Sequence, residues 1–288
     1  SKLEKIIVTN VVDLLPWWKK WFGRAFDRIP RGEVGRDPEI HFFLKLIRKR
    51  SFELIKSEDE SALGAIFYTS GVGDLPKGVP YSHDHLLDNL NRAEEIWSKF
   101  LKQKEHKFLL LKPLFHVLGT LMLFVWGFQM GNTVILMPRI NIDAILEAIQ
   151  REKVALLGGF PNIYKMILEH ERLEMYKLSS LEYCICGGDF LPSQIIGRWK
   201  SKFGLPIHQI YATTEIGLIS ASSLDKELPL GSVGYVLPGR RISLVKPGTL
   251  EPVSSGEIAE LLVRSRHMPS EYWNSPEESA RSFVEMEG

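Results

Sequence analysis

Short apolar runs alternate with amphipathic segments from residue 61 to residue 211, and this alternation limits the possible folds more than any other feature of the chain. The runs at 65–68, 108–111, 133–137, 154–157, 181–186 and 207–211 have the length and the Val, Ile, Leu and Phe content of buried strands. Helices are expected between them, over 83–102 and 192–203 and opening near 117, 142 and 161. Ile142, Ile145, Leu146 and Ile149 stand at i, i+3, i+4 and i+7, one face of a helix, and Asn141 occupies the N-cap position. Pro161 suits the first helical position of the next helix, after Gly158 and Gly159. Apolar strands separated by amphipathic helices predict an α/β fold with a doubly wound, mostly parallel sheet covered on both faces.

The flanks differ in character. Beyond Leu230, strands are expected at 232–236, 240–246 and 257–264 between Pro/Gly turns, closed by a helix-like tail at 275–283, which makes a smaller β-rich subdomain. Ahead of residue 61, a strand at 5–9 and a helix at 14–26 precede a Pro/Gly loop at 28–38 and a second helix at 41–50. The expected division is thus 1–60, 61–228 and 229–288. Trp17, Trp18, Trp21 and Phe22 stand beside Lys19, Lys20 and Arg24. That pattern fits either peripheral contact of an interfacial helix with a membrane or packing against a partner domain.

Several classes are disfavoured. Lys and Arg total 36 against 35 Asp and Glu, a balance that gives no general case for nucleic-acid binding. Residues 117–138 carry no charge and could in length span a bilayer. Gly119, Gly127, Gln129, Gly131 and Asn132 interrupt them, and the stretch reads as a buried helix, a turn at Gly131 and Asn132, and a buried strand. The opening residues give a strand-like IIV rather than the apolar core of a secretory signal. Cys184 and Cys186 share one strand face, near the upper separation for a disulfide, and as free thiols they fit a reducing, cytoplasmic setting.

Residues 68–78, YTSGVGDLPKG, are the chain's densest cluster of glycines and polar donors. Glycines admit close backbone approach, successive N–H groups can cradle an anion, and Thr69, Ser70 and Lys77 add hydroxyls and a point charge suited to phosphate. Gly73 and Gly78 have the spacing of a Walker A loop, but Val79 and Pro80 stand where its Lys and Ser/Thr belong. A plain surface turn is the alternative. In a doubly wound sheet ligands lie beyond the carboxyl ends of strands, where this loop, Gly187-Gly188-Asp189 and the 211–215 loop YATTE are expected.

With LPKG and Ser82-His83 following it, this loop resembles the phosphate loop of the adenylate-forming superfamily, which includes acyl-CoA synthetases, firefly luciferase and the adenylation domains of peptide synthetases. YATTE resembles the family's Y-G-x-T-E motif, with Ala212 in place of glycine, and GGDFLP its adenine-lining element. The segments at 231–245 and 256–283 resemble later family segments in order and spacing, so the likeness covers residues 63–283. The opening, with KIIVTN and DLLP, is most similar to long-chain acyl-CoA synthetases.

The resemblance implies roles. Thr69, Ser70, Gly71, Gly73, Lys77 and Gly78 would hold the phosphates of ATP. Tyr211 would stack on adenine beside Gly187, Gly188 and Ala212. Thr214 would bond the α-phosphate, and Glu215, with Thr69, would ligate Mg2+. Lys77, Thr214 and Glu215 would then be the catalytic group. Asp189 would either bond the adenine amino group or cap the helix at Pro192. His116 would border the fatty-acid site with Gly187 and Tyr211, or is a core histidine. His83 and His85 resemble a small metal pair, although a helix start explains them as well. The implied reaction makes an acyl-adenylate and transfers the acyl group to coenzyme A. Val72, Gly73 and Asp74 depart from the family's hydroxyl-rich loop, which keeps open a relative that binds without catalysis. The chain is read as the central part of a longer enzyme.

Overall fold

The structure, a computed structural model, describes residues 5–10, 12–25, 38–48, 59, 61–70, 75–101, 104–137, 139–226 and 228–285. Most of the 28–38 loop, the end of the 41–50 helix, and Gly71, Val72, Gly73 and Asp74 lie outside the described residues. The chain divides into two compact units, Ser1–Ser57 and Glu58–Gly288.

In the first unit, β1 (Ile6–Val8) pairs in parallel with β2 (Ile40–Phe42). The Asp13 carboxylate accepts from Asn10 N at 2.9 Å and Thr9 Oγ1 at 3.2 Å, while Lys20 Nζ donates to Asp13 O at 2.7 Å. These bonds fix the turn into helix α1 (Trp17–Ala25). The second helix is shorter than expected. Ile40, His41 and Phe42 are drawn into the ladder with Ile6, Ile7 and Val8, and α2 spans only Phe43–Ile47.

The second unit opens with an antiparallel hairpin, β3 (Leu63–Tyr68) and β4 (Gly78–Ser82). This corrects the expectation that the run at Ala65 belongs to the parallel sheet. Strand β4 was not expected because Pro80 lacks an N–H and argues against a strand interior. In a two-stranded hairpin only one side needs pairing, so Pro80 sits opposite Ile66 at no cost to a second neighbour. Helix α3 (His83–Leu101) follows, with Ser82 Oγ accepting from His85 N at 3.1 Å as its cap.

The main sheet contains β5 (Lys107–Leu110), β6 (Thr133–Leu136), β7 (Leu156–Gly159), β8 (Tyr183–Gly187), β9 (Ile207–Thr213), β10 (Gly217–Ala221) and β11 (Tyr235–Val236), in the order β11-β10-β9-β8-β7-β5-β6. Strands β5 to β9 are parallel; β10 and β11 run antiparallel at one edge. Alternate side chains serve opposite faces, as the pleat requires. Phe108 and Leu110 join Trp97, Trp126 and Ile185 on one face, while Leu109 and Leu111 join Ile145, Ile149, Cys184, Cys186 and Trp199 on the other. The sheet is therefore doubly wound.

The second face is covered by α5 (Ile142–Glu152), α6 (Pro161–Leu168) and α7 (Ser193–Phe203). Asn141 Oδ1 caps α5 by accepting from Ala144 N at 2.9 Å. Ile145, Leu146 and Ile149 are fully buried, each worth about 1.5–3 kcal/mol of apolar burial. On the first face, α4 (Val117–Met122) runs straight into a π-helix, Leu123–Gln129, whose Val125 O accepts from Met130 N at 2.9 Å. The chain then turns at Gly131, φ +69°, and enters β6, as the interrupted apolar stretch implied. Among the described residues no helix is long and apolar enough to cross a membrane.

Three further boundaries moved. Strand β7 begins at Leu156 and absorbs Gly158 and Gly159, because the Phe108 ring fills the space a Gly158 side chain would take. Strand β10 was not expected. The run at 232–236 shrinks to β11, which joins the main sheet rather than the β-rich segment. That segment comprises an antiparallel pair, β12 (Arg240–Val245) and β13 (Glu260–Ser265), followed by α8 (Pro276–Ser282).

Candidate functional site

The hairpin's inner end is closed by two bonds at its base. Thr69 N donates to Lys77 O and Lys77 N donates to Thr69 Oγ1, both at 3.0 Å. Thr69 therefore spends an acceptor lone pair on the loop and keeps its O–H to donate outward. Ser70 follows it into the tip.

Two buried tyrosines stitch this hairpin to the 211–215 loop. Tyr81, fully buried on β4, donates to Thr214 O at 2.7 Å. Tyr272 donates to Glu215 Oε1 at 2.7 Å, and its neighbour Trp273 N donates to Gly78 O at 2.7 Å. Lys77 Nζ lies 5.0 Å from the Tyr272 ring centre and 3.3 Å from Glu278 Oε2 of α8. Burial pushes both phenols up, Tyr272 to about 12, with the neighbouring Glu215 charge adding to each. Both remain neutral donors at ordinary pH. Lys77, Gly78, Thr214 and Glu215 are thus brought to one place.

The 211–215 loop is held from beneath. Gly217 has φ +80°, and a Cβ there would come within 2.2 Å of Asn89 Oδ1. Asn89 accepts from Leu218 N at 2.9 Å and donates to Ile216 O at 3.1 Å. His85 Nε2 donates to the same carbonyl at 3.0 Å, its ring stacked 3.8 Å from Tyr81. Burial lowers its pKa to about 4, so the ring is neutral. His85 is a support for the loop, and the metal-pair reading of His83 and His85 is set aside. Among the described residues no group of three or more His, Cys, Asp or Glu could hold a metal by itself. Arg240, its side chain fully buried, braces the same layer by pairing with Asp88 and donating to Leu218 O and Ser265 Oγ.

Tyr211 lies partly exposed at the outer end of β9, and Ala212 pairs with Leu218 and packs on the core. Gly187, on the neighbouring strand, faces Ile210, and a Cβ there would fall 2.3 Å from Ile210 Cγ1. Gly188 takes φ +93°. Asp189 is exposed and accepts from Phe190 N at 2.7 Å. It does not cap α7, whose N-cap Pro192 has no side-chain cap bond; the chain bends at Gly188 and Asp189, three residues before that position. His116 is the N-cap of α4, Nδ1 accepting from Leu118 N at 3.2 Å. With Nδ1 so used, the neutral ring carries its proton on Nε2. Burial first, and the Lys112 charge second, hold its pKa below the ordinary histidine value.

Four adjacent parallel strands therefore deliver their carboxyl ends to one edge: β5 with Lys112 and His116, β7 with Phe160, β8 with Gly188 and Asp189, β9 with Thr214 and Glu215. The hairpin of β3 and β4 reaches this edge from outside the sheet, through Tyr81. Sequence reasoning missed Lys112, Tyr272 and Glu278. Of these, only Tyr272 and Glu278 lie in a run, 256–283, that resembles a family segment, and neither residue type marked them out there.

Residues 8–273 match the family profile described as AMP-binding enzyme. The chain belongs to that family. Among curated AMP-binding relatives, a long-chain-fatty-acid–CoA ligase of Bacillus subtilis is 27% identical over 97% of this chain and 51% of its own length. A feruloyl-CoA synthase of an Amycolatopsis species is 29% identical over 82% of this chain and 49% of its own length. The chain spans about half the length of these relatives. A MatB crystal structure with ATP bound, from Rhodopseudomonas palustris, superposes with TM-score 0.70 at 26% identity, covering 77% of this chain and 43% of that one. An o-succinylbenzoate CoA synthetase of Bacillus subtilis, solved with its acyl-adenylate, shares the fold with TM-score 0.70 at 22% identity, over 85% of this chain and 50% of that one.

Proposed function

We propose that this chain is the nucleotide- and acid-binding part of an ATP-dependent acid–thiol ligase that activates a fatty acid and passes it to coenzyme A. The observation that carries this reading is the double stitch by Tyr81 and Tyr272. It sets a Lys-bearing, hydroxyl-lined hairpin against Thr214 and Glu215 at the carboxyl edge of a parallel sheet. The segments 61–228 and 229–288 would then be the nucleotide-binding and β-rich parts of one large domain.

In the first step a substrate carboxylate oxygen attacks the α-phosphorus of ATP, and the bond to the β-phosphate oxygen breaks to release pyrophosphate. In the second a thiol sulfur attacks the acyl carbonyl, and AMP leaves. Lys77, the Thr69 and Ser70 hydroxyls and the hairpin N–H groups would neutralise charge growing on the phosphates. The Lys77–Glu278 pair is a partly exposed contact that a phosphate can replace, since such pairs contribute little. Tyr211 would lie on the base, with Gly187 and Gly188 giving bare backbone beside it. The donor set suits Mg2+, which Glu215 would hold. Glu215 keeps one carboxylate oxygen beyond the Tyr272 bond, and a hard cation of this kind takes one or two carboxylates plus phosphate oxygens. Bound there with the Thr69 hydroxyl beside it, the ion would supply charge neutralisation; Tyr272 would fix the carboxylate that holds it.

The test is calorimetric titration of this chain with Mg·ATP, using Glu215→Ala and Lys77→Ala. Saturable binding weakened by both supports the reading, and binding untouched by both contradicts it. Val72, Gly73 and Asp74, which depart from the family's hydroxyl-rich sequence, favour a second reading, binding without turnover, which acid-dependent pyrophosphate exchange separates from the first. Residues 1–57 carry 13 Lys and Arg against 7 Asp and Glu, and Trp17, Trp18, Trp21 and Phe22 are exposed on α1. This favours contact of that unit with an anionic lipid surface. Liposome co-sedimentation that survives Trp17→Ser and Trp21→Ser together would count against it.

A further inference from the structure

Lys112 stands two residues past β5, in the middle of the carboxyl edge, and no role has been given to it. Its Nζ lies 5.0 Å from the Phe160 ring centre and close against Gly188, where an added Cβ would be 2.6 Å away. Its position is enforced. A Cβ at Gly119 of α4 would fall 2.0 Å from Pro113 O, so the helix presses directly on the turn that carries Lys112. Beneath the ammonium is a small apolar recess of about 20 Å³, walled by Leu110, Leu118, Met122, Gly158, Gly187 and Ile210.

The charge has no anion in direct contact. Among the described residues Lys112 has neither a hydrogen-bond nor an ion-pair partner. Asp189 acts on it through space without touching it, its Oδ1 accepting from Phe190 N. The Cys186 thiol is held protonated by burial, its pKa pushed up to about 12, and His116 is neutral. A cation half out of water with no anion in contact costs free energy that a bound carboxylate would return, and the recess below offers apolar surface to the carbon next to it.

We propose that Lys112 anchors the carboxylate of an apolar monocarboxylic acid at the mouth of this recess, and so selects acids over their neutral analogues. This rests on the reading of the edge as an acid-activating site and names the residue that orients the acid there. Lys112 touches the substrate directly, and its charge, rather than its shape, does the selecting.

The test is equilibrium dialysis of this chain with octanoate and with octanamide, for the native protein, Lys112→Met and Lys112→Arg. The native chain should prefer octanoate by about ten-fold or more, the range for a hydrogen bond to a charged group. Lys112→Met should lose that preference with its octanamide affinity unchanged, and Lys112→Arg should keep most of it. Thermal unfolding of Lys112→Met should match the native chain, since the thioether replaces the stem. No preference in the native chain, or a preference that survives Lys112→Met, overturns the proposal. So does a Lys112→Met variant that weakens Mg·ATP binding and leaves octanoate alone, because the cation would then serve phosphate. Octanoate selectivity together with silence in acid-dependent pyrophosphate exchange keeps Lys112 as an acid anchor and overturns the ligase reading instead.

Discussion

Removing the Tyr272 hydroxyl tests how the site is held. Tyr272→Phe deletes one O–H, a 2.7 Å donor to Glu215 Oε1, and leaves a ring that is 4% exposed and packed edge-on against Phe283. A hydrogen bond to a carboxylate is worth about 1.5–3 kcal/mol, and the lower end applies because the freed Glu215, only half-buried, can rehydrate. Stability should therefore fall by about 1.5 kcal/mol. Nucleotide binding should change for a separate reason. An untethered Glu215 must be ordered when it binds the ion, which costs about 0.5–1.5 kcal/mol and weakens Mg·ATP by about two- to twelve-fold. The assay is calorimetric titration with Mg·ATP and with ATP in chelator, run as a cycle with Glu215→Ala. The loss should disappear in chelator and in the Glu215→Ala background. A loss of the same size in both would refute the tether and assign the effect to packing of the ring.

Other perturbations reach the supports. Arg240→Met should cost about 3 kcal/mol in urea unfolding, because Asp88, 10% exposed, loses its buried partner and keeps only the contact with Arg92 at 3.3 Å. Adding Asp88→Asn should recover part of it, and a single variant of native stability contradicts the role given to Arg240. His85 titrates near 4 in the folded chain and near 6.5 unfolded, so the unfolded state binds more protons between these values. Its contribution is intact above about pH 6.5 and is lost as pH falls toward 4, roughly 3 kcal/mol in all. His85→Gln should flatten that part of the pH–stability profile, and an unchanged slope sinks the assignment.

The parallel sheet was legible because packing on two faces writes its periodicity into the strands: Leu109 and Leu111 alternate with Phe108 and Leu110 whichever strand order is adopted. What was not legible depends on contacts far apart in sequence. Strands β4 and β10 are paired across Pro80 and Gly217, residues whose local preferences oppose strands and whose places are set by Ile66 and Asn89. Gly158 and Gly159 have the local character of a loop, but Phe108 fills the space above Gly158 while Ile163 and Tyr164 stand over Gly159. In the site, the glycines and Glu215 announced themselves through motif spacing. Tyr272 and Lys112 did not, since a tyrosine before tryptophan and a lysine before proline carry no chemistry until folding sets one against a carboxylate and the other, among the described residues, against no hydrogen-bonding anion.

The most direct test of the central claim is ATP–pyrophosphate exchange by the full-length protein carrying this chain, driven by a series of fatty acids, with Glu215→Ala as control. Exchange that needs one chain-length class and falls on the order of 10²-fold in Glu215→Ala is the predicted result. No exchange with any acid, from a protein that binds Mg·ATP, would contradict acid activation at this edge.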